Sequence, residues 1–516
     1  MTKLDNKIFT ISEVAYLKPG EEKSLKAYTY EEAVDKTQLG KFHYCLLLIA
    51  GMCFMACITE ITGLGLIMFP AKCDLQFTLA QQGLLGSAGF MGVTVSSHFM
   101  GFLADTWGRV RSLRTMLLIS LCTSLISTMS ANVWMLFTFR FLTGVFISGC
   151  QACVFTLVGE FHSSKTRVKH VAMVSIFLPS GLIYLPALAY FILPLNINVH
   201  FLGINLLPWR VLMMANTLPS MIALAGVYWL PESPKYLLSQ GKHSESVEIL
   251  RKVYSMNSGK PKNTYPCNIV TLKDVGSDLS NKGIFGILKL VWTQTISLFT
   301  RDRVFQTVNM CTITFIINLI AQGTFMYFPI IINNLITHTE SSLTVCQAFE
   351  VAGQSTSNLT LEEMCADPDS MNIQQYEFLT YIGCIFMLCY LFISAVIDYT
   401  GKKPLLMSWI ALGGICSLLL HWINNIILVM VALTFTVTIA NCIGIMSTIA
   451  LEFYPTNINA MGVSFVMMVG RLGAVVGTNM VGPLLFSYCE TLFFTYGGAI
   501  TFICVLAFFL PRGNVK

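Results

Sequence analysis

Four ionisable side chains stand inside long apolar runs of this sequence: Glu60, His98, Arg140 and Arg471. An ionisable group in hydrocarbon costs about 2.5–3.5 kcal/mol on insertion scales, so each one asks for a partner or a task. A carboxylate such as Glu60 can carry a coupling proton or bind a cation; the alternative is a place close enough to one membrane face to be wet. Arg471 stands alone near the middle of its run. It can receive a carboxylate or sulfonate bidentately, or close a gate as half of a salt bridge. Arg140 stands four residues before Gly144, which permits close helix approach. His98 reads as a hydrogen-bonded packing residue. Tyr184, Tyr190 and Gln322 join the candidate set as polar groups on runs that could line a cavity. No phosphate-cradling glycine loop with lysine, no metal-ligand spacing and no nucleophile–base pair accompanies them, so the sequence points to neither an enzyme nor a cofactor.

The elements that must position these residues are membrane helices. The 516 residues are 54% hydrophobic and only 11% charged, whereas a soluble chain carries about 25% charge. Runs of the length needed to cross roughly 30 Å of hydrocarbon fall near 43–69, 82–103, 113–130, 133–159, 170–194 and 208–230. Six more fall near 305–332, 376–397, 405–422, 425–450, 459–484 and 489–510. The expected class is an all-α polytopic membrane protein with two six-helix halves. Residues 1–42 read as an N-terminal tail, 43–230 as the first half, 231–304 as a linker, 305–510 as the second half and 511–516 as a C-terminal tail. Most of the 17 cysteines lie in apolar runs, where Cys behaves as a small hydrophobe. No basic block interleaved with aromatics supports nucleic-acid binding, and no cleavable signal peptide is visible.

Lys and Arg set the orientation. Arg109, Arg111, Arg114, Lys165, Arg167, Lys169, Lys402, Lys403 and the 231–304 interval share one side if the spans alternate. The 333–375 loop on the other side has no Lys or Arg. The positive-inside rule puts both termini and the linker in the cytosol. Within the exterior loop Asn358-Leu359-Thr360 is a glycosylation sequon, and Cys346 and Cys365 flank it as a candidate disulfide. In the linker, Val247, Leu250 and Tyr254 mark the apolar face of an amphipathic helix. Tyr28–Leu39 could form a short helix at the membrane surface, and 255–283 reads as flexible.

Two short loops repeat across the halves. Asp105-Thr-Trp-Gly108-Arg109 and Asp398-Tyr-Thr-Gly401-Lys402 keep acid, glycine and cation at the same offsets, each between two apolar runs. Together they resemble the signature loop of the major facilitator superfamily, whose halves are parallel repeats. Pro231-Glu232-Ser233-Pro234-Lys235-Tyr236-Leu237 resembles the motif after the sixth span of sugar porters, organic ion transporters and synaptic vesicle glycoproteins. Gly40-Lys41-Phe42-His43-Tyr44, Cys73-Asp74-Leu75, Glu452-Phe453-Tyr454-Pro455 and Gly470-Arg471-Leu472-Gly473 are similar to insect-type relatives of the vesicle glycoproteins. The chain departs from that pattern at Cys57, where an Asp is usual, at Asn459, where an Arg is usual, and at Ser394, where a Gly is usual.

The resemblance implies a twelve-helix facilitator that moves a small organic ion, anionic by the lean of Arg471, with protons as a coupling ion. It implies a structural role for Arg140, pairing neighbouring helices, and a gating network of Asp105, Gly108, Arg109, Glu160, Asp398, Gly401, Lys402 and Glu452. The other reading is a non-transporting, vesicle-glycoprotein-like protein of the plasma or a vesicle membrane that acts through interactions.

Overall fold

A computed structural model describes residues 27–201, 204–271, 293, 295–337, 344–356, 373–454 and 458–511. Asn358 and Cys365 lie outside these residues, as do the side chains of His98, Asp105, Asp398 and Asn459.

The first half comprises α2 (Lys41–Thr62), α3 (Leu64–Leu75), α4 (Leu79–Trp107), α5 (Arg109–Thr128), α6 (Val133–Phe161), α7 (Arg167–Ser175), α8 (Phe177–Ile192), α9 (Pro208–Asn216) and α10 (Leu218–Trp229). α2 with α3, α7 with α8, and α9 with α10 each form one bent rod, so this half has six rods among the described residues. The second half comprises α13 (Val304–Thr337), α15 (Gln374–Thr400), α16 (Lys402–Leu419), α17 (Ile426–Thr438), α18 (Cys442–Phe453), α19 (Asn459–Ser487) and α20 (Cys489–Phe508). With α17 and α18 continuous, it too has six rods. Ten of the twelve are long and apolar enough to cross a membrane. The exceptions are α4, diluted by Gly and Ser, and α16, which opens on two lysines.

The halves meet along two matching seams, α4 against α19 and α8 against α15. Far from the paired Gly108 and Gly401 turns, one apolar cluster fuses both halves: Ile67, Leu182 and Leu185 pack with Phe328, Ile331 and Leu379. There the Tyr376 hydroxyl donates to the Leu66 carbonyl across the seam at 3.1 Å. On the Gly108 side, the first half keeps a cluster of its own, with Phe42, Leu46, Leu157 and Phe161. Among the described residues the molecule is therefore sealed by apolar packing at one end and divided at the other.

Helix approach within the second half depends on missing side chains. A Cβ at Gly473 would sit 2.1 Å from the Phe315 carbonyl oxygen of α13, and one at Gly477 2.1 Å from that of Leu319. The glycines spaced at 470, 473 and 477 form the face of α19 that lies on α13, and this turns Arg471 away toward the first half.

Two expectations change. The tail helix α1 (Tyr30–Lys36) follows β1 (Ala27–Thr29) and packs Tyr30, Ala33 and Val34 on Leu238, Val247, Leu250 and Tyr254 of the linker. Its apolar face is thus covered by linker helices α11 (Pro234–Ser239) and α12 (His243–Ser258) and is not free for a membrane surface. β1 also pairs in parallel with β4 (Ile269–Thr271), which places ordered strand within the glycine- and serine-rich stretch. The short hairpin β2 (Val199–Phe201) and β3 (Ile204–Leu206) joins α8 to α9.

The second change is the disulfide. Cys346 bonds Cys489, with Cα atoms 5.5 Å apart, and not Cys365. Helix α14 (Val345–Thr356) folds back onto the α19–α20 corner, where Phe349 meets Phe486 at 5.3 Å. This brings Cys346 to the first residue of α20. Cys73 is disulfide-bonded as well.

Replacing Gly473 by Val should prevent α19 from docking on α13, because the colliding atom is backbone and cannot move aside. Overpacking of this kind costs about 1–3 kcal/mol, so thermal unfolding of the purified protein in detergent should begin several degrees earlier.

Candidate functional site

Arg471 lies at the α4–α19 seam. Its Nη1 donates to the Ser97 hydroxyl of α4, and its Nη2 donates to Gln151 Oε1 of α6 at 3.1 Å. Both partners are neutral and both belong to the opposite half. Among the described residues no carboxylate pairs with this guanidinium. An arginine held by a hydroxyl and an amide keeps its full charge available to an anion, and such a ligand would replace the contacts that now tie the halves together.

Glu60 and Arg140 are brought together instead. Arg140 Nη1 donates to Glu60 Oε2 at 3.1 Å, with side-chain exposures of 3% and 0%. Ser124 donates to the same oxygen at 2.6 Å and Ser220 to Oε1 at 3.4 Å. Glu60 therefore joins α2, α5, α6 and α10 in one polar knot. Gly144, one turn beyond Arg140, also lets α6 lie close on α4, where a Cβ would be 2.3 Å from the Gly89 carbonyl oxygen. Tyr184 spends its hydroxyl on the Ala215 carbonyl at 2.8 Å. Tyr190 is 37% exposed with its ring against Phe191, and Gln322 is half-buried on α13.

At the divided end the two signature loops have the same build. Gly108 (φ 102°) and Gly401 (φ 81°) adopt backbone that L side chains rarely enter, each turning one helix directly into the next. Arg109 pairs with Glu160 at 3.3 Å, and Lys402 pairs with Glu452. Each pair stays within its own half.

The sequence reading did not assign a role to Glu232. Its carboxylate accepts from the Val110 and Arg111 amides at 2.9 and 3.2 Å, capping α5 at its positive end. Tyr236 completes the clasp by donating to the Thr106 carbonyl at 2.9 Å under the Arg109 guanidinium. Negative charge two residues into a Pro-rich turn was the available signal; the partner, more than a hundred residues earlier, was not visible. Arg210 stands at the start of α9, at the edge of an apolar run. It pairs with Asp74 at 2.7 Å and donates to the Thr128 and Ser130 carbonyls, fastening the sealed end.

A sequence comparison decides the family. Residues 46–357, more than half of the chain, match the Major Facilitator Superfamily. The chain belongs to that superfamily. It is a multi-pass integral membrane protein, similar to synaptic vesicle glycoprotein 2B of Mus musculus at 26% identity over 59% of this chain and 47% of that one. It is 28% identical to synaptic vesicle glycoprotein 2A of Pongo abelii over 65% of this chain and 48% of that one. The svop-1 protein of Caenorhabditis elegans is 32% identical over 45% of this chain and 43% of its own length. The facilitator chain thus aligns with about half the length of these curated relatives. The xylose transporter XylE from E. coli, in a partially occluded inward open conformation, shares the fold. Its TM-score is 0.65 at 14% identity, covering 92% of this chain and 99% of that one.

Two residues beyond Glu160, His162 forms a buried stack with His43 and His170. The His162 and His170 rings lie 4.1 Å apart and those of His43 and His162 4.8 Å. Burial, opposed only by a hydrogen bond to the Val158 carbonyl, pushes His162 down to about 4, and the neighbouring His43, His170 and Arg167 act in the same direction as burial.

Truncating Glu60 to Ala should destabilise the protein by about 3–5 kcal/mol, since it strands a buried guanidinium. The double variant with Arg140→Gln should lose less than the sum, as read from melting in detergent. The folded state resists protonating His162 between the ordinary histidine value near 6.5 and about 4. Stability is therefore complete above pH 6.5 and falls as pH drops through that window, by about 3 kcal/mol at most. His162→Gln should flatten this acid limb of a melting-against-pH curve.

Proposed function

We propose that this chain is a transmembrane transporter that moves a small organic ion by alternating access, with an anion or zwitterion as the preferred solute. The observation that carries the reading is the uncompensated Arg471, held by Ser97 and Gln151 across the seam between the halves. A facilitator moves solute by rocking its halves about a central site. An anion that takes Arg471 from its neutral partners would bind and also loosen one cross-half tie. That gives the solute a differential affinity for two arrangements, which is the thermodynamic requirement for coupling binding to movement.

Orientation supports placing both termini and residues 231–304 in the cytosol, because Lys and Arg gather at the divided end. In that frame the arrangement is inward-facing. The pairs Arg109–Glu160 and Lys402–Glu452, with Asp105 and Asp398 beside their turns, act as parts of a cytosolic gate. Such surface pairs of modest strength bias a two-state equilibrium without fixing it. Glu60 and Arg140 serve as the polar pin of the first half. A proton is the coupling ion to test first, and Asn358 is the proposed site of an exterior glycan.

Uptake of a panel of organic anions, cations and sugars into cells expressing the protein, at two external pH values, tests the proposal. An anion should accumulate, and Arg471→Ala should cut its uptake at least tenfold while surface expression stays normal; Arg471→Lys should keep a fraction. If nothing accumulates and the variant behaves as the parent does, the transporter reading fails and a non-transporting role through interactions replaces it.

A further inference from the structure

An apolar groove of about 480 Å³ runs along the second half where α13 and α19 begin. Val308, Thr312 and Phe315 line it from α13, Phe465 and Val469 from α19, and Phe299 from the short 3₁₀ turn Ser297–Phe299. The Phe299 and Phe465 rings meet edge-on at 5.5 Å, which ties the turn to α19. Val308 is 50% exposed and Phe299 43%, so the groove is open along one side.

Two observations place it. Val469 precedes Arg471 by two residues, which at 3.6 residues per turn puts it about 160° round α19 from the arginine. The groove therefore faces away from the seam between the halves, toward lipid. It also opens at the divided end. Gln306 and Asn309, near the start of α13, donate to the Phe509 and Leu506 carbonyls. Lys403, two residues after Gly401, donates to the Leu510 carbonyl beside them at 2.9 Å.

The lining decides the chemistry of the occupant. The Thr312 hydroxyl already donates to the Val308 carbonyl at 2.9 Å, and the other lining side chains are carbon and sulfur. A polar solute would be desolvated there without compensation, whereas a hydrocarbon chain would not. Charge stands at the rim. The turn that carries Phe299 runs on into Arg301, Asp302 and Arg303; Arg301 is exposed, and Arg303 Nη1 reaches back to the Ser297 carbonyl at 3.5 Å. Two cations against one carboxylate leave the mouth of the groove positive.

We propose that this groove binds one acyl chain of an anionic phospholipid, whose headgroup is held by Arg301 and Arg303. The apolar wall takes the chain, and the arginines select a negative headgroup over a zwitterionic one.

The experiment uses the full chain in phosphatidylcholine nanodiscs. These contain a trace of phosphatidylserine, or of phosphatidylcholine, with a photoactivatable diazirine on one acyl chain. After irradiation the protein is digested and the labelled peptides are located by mass spectrometry. Phosphatidylserine should label the starts of α13 and α19 about fivefold more than phosphatidylcholine does, the factor that one net cation at a membrane surface gives. The double variant Arg301→Gln, Arg303→Gln should remove that preference. Lys41→Gln, which removes an exposed cation where α2 begins, should keep it. Thr312→Trp, which fills the groove, should cut labelling of α19 by both lipids. Melting of each variant in detergent reports whether it is folded, and Val469→Phe is a milder filling should Thr312→Trp not fold. Equal labelling by the two lipids overturns the proposal, as does label spread evenly over the other lipid-facing helices. So does a groove left unlabelled because a second copy of the chain covers it. No transported solute enters the experiment, so its outcome is independent of the transporter reading.

Discussion

A carboxylate and a guanidinium inside hydrocarbon have no water to turn to, and the first half of this protein is arranged around that constraint. Glu60 can be buried only because Arg140 and Ser124 reach the same oxygen and Ser220 the other. Those donors come from three helices besides its own. The pair need not add net stability, since burying two charges costs several kcal/mol before any attraction is counted. What it does is specify: the four helices have few other registers in which these groups are satisfied. The tight α4–α6 contact at Gly89 and Gly144 rests on two missing side chains, and it sets Ser97 and Gln151 on neighbouring helices.

Arg471 is the counterpart in the second half, but its environment is the reverse. Its helix is fixed by glycine contacts with α13, so its side chain is presented to the seam and not to its own half. There it meets neutral oxygens. The two arginines thus differ in what surrounds them and not in depth alone: one is consumed by structure, the other retains unspent charge. Apolar packing joins the halves at one end, while at the other each half has its own ion pair among the described residues. That asymmetry is what a two-state membrane protein needs if a solute is to choose between arrangements.

The linker has more structure than its composition suggests. Tail and linker share a small apolar core, and the tail reaches the end of α6: the Tyr30 hydroxyl donates to the Glu160 carbonyl at 2.5 Å, and Glu31 pairs with Arg167 at 2.6 Å. Burial raises Tyr30 well above its ordinary range, with the neighbouring Glu160 acting in the same direction, so the hydroxyl remains a donor.

By itself the sequence determined the class, the helical spans and the repeat. Twenty-residue apolar runs have one stable form in hydrocarbon, because every backbone amide must be satisfied within its own segment. The equivalent loops were legible for the same kind of reason: a turn this tight between two helices needs glycine at Gly108 and Gly401, and the cations beside them mark a turn that faces water. The candidate residues were legible as types, since charge in an apolar run is conspicuous. Which charge pairs with which was decided by the tertiary structure alone. Glu60 meets Arg140 eighty residues away, Glu232 caps a helix that begins at Arg109, and Cys346 finds Cys489 and not its nearer neighbour. Partners at such separations are set by helix packing, whose geometry depends on the sum of many small contacts and leaves no local mark on the chain.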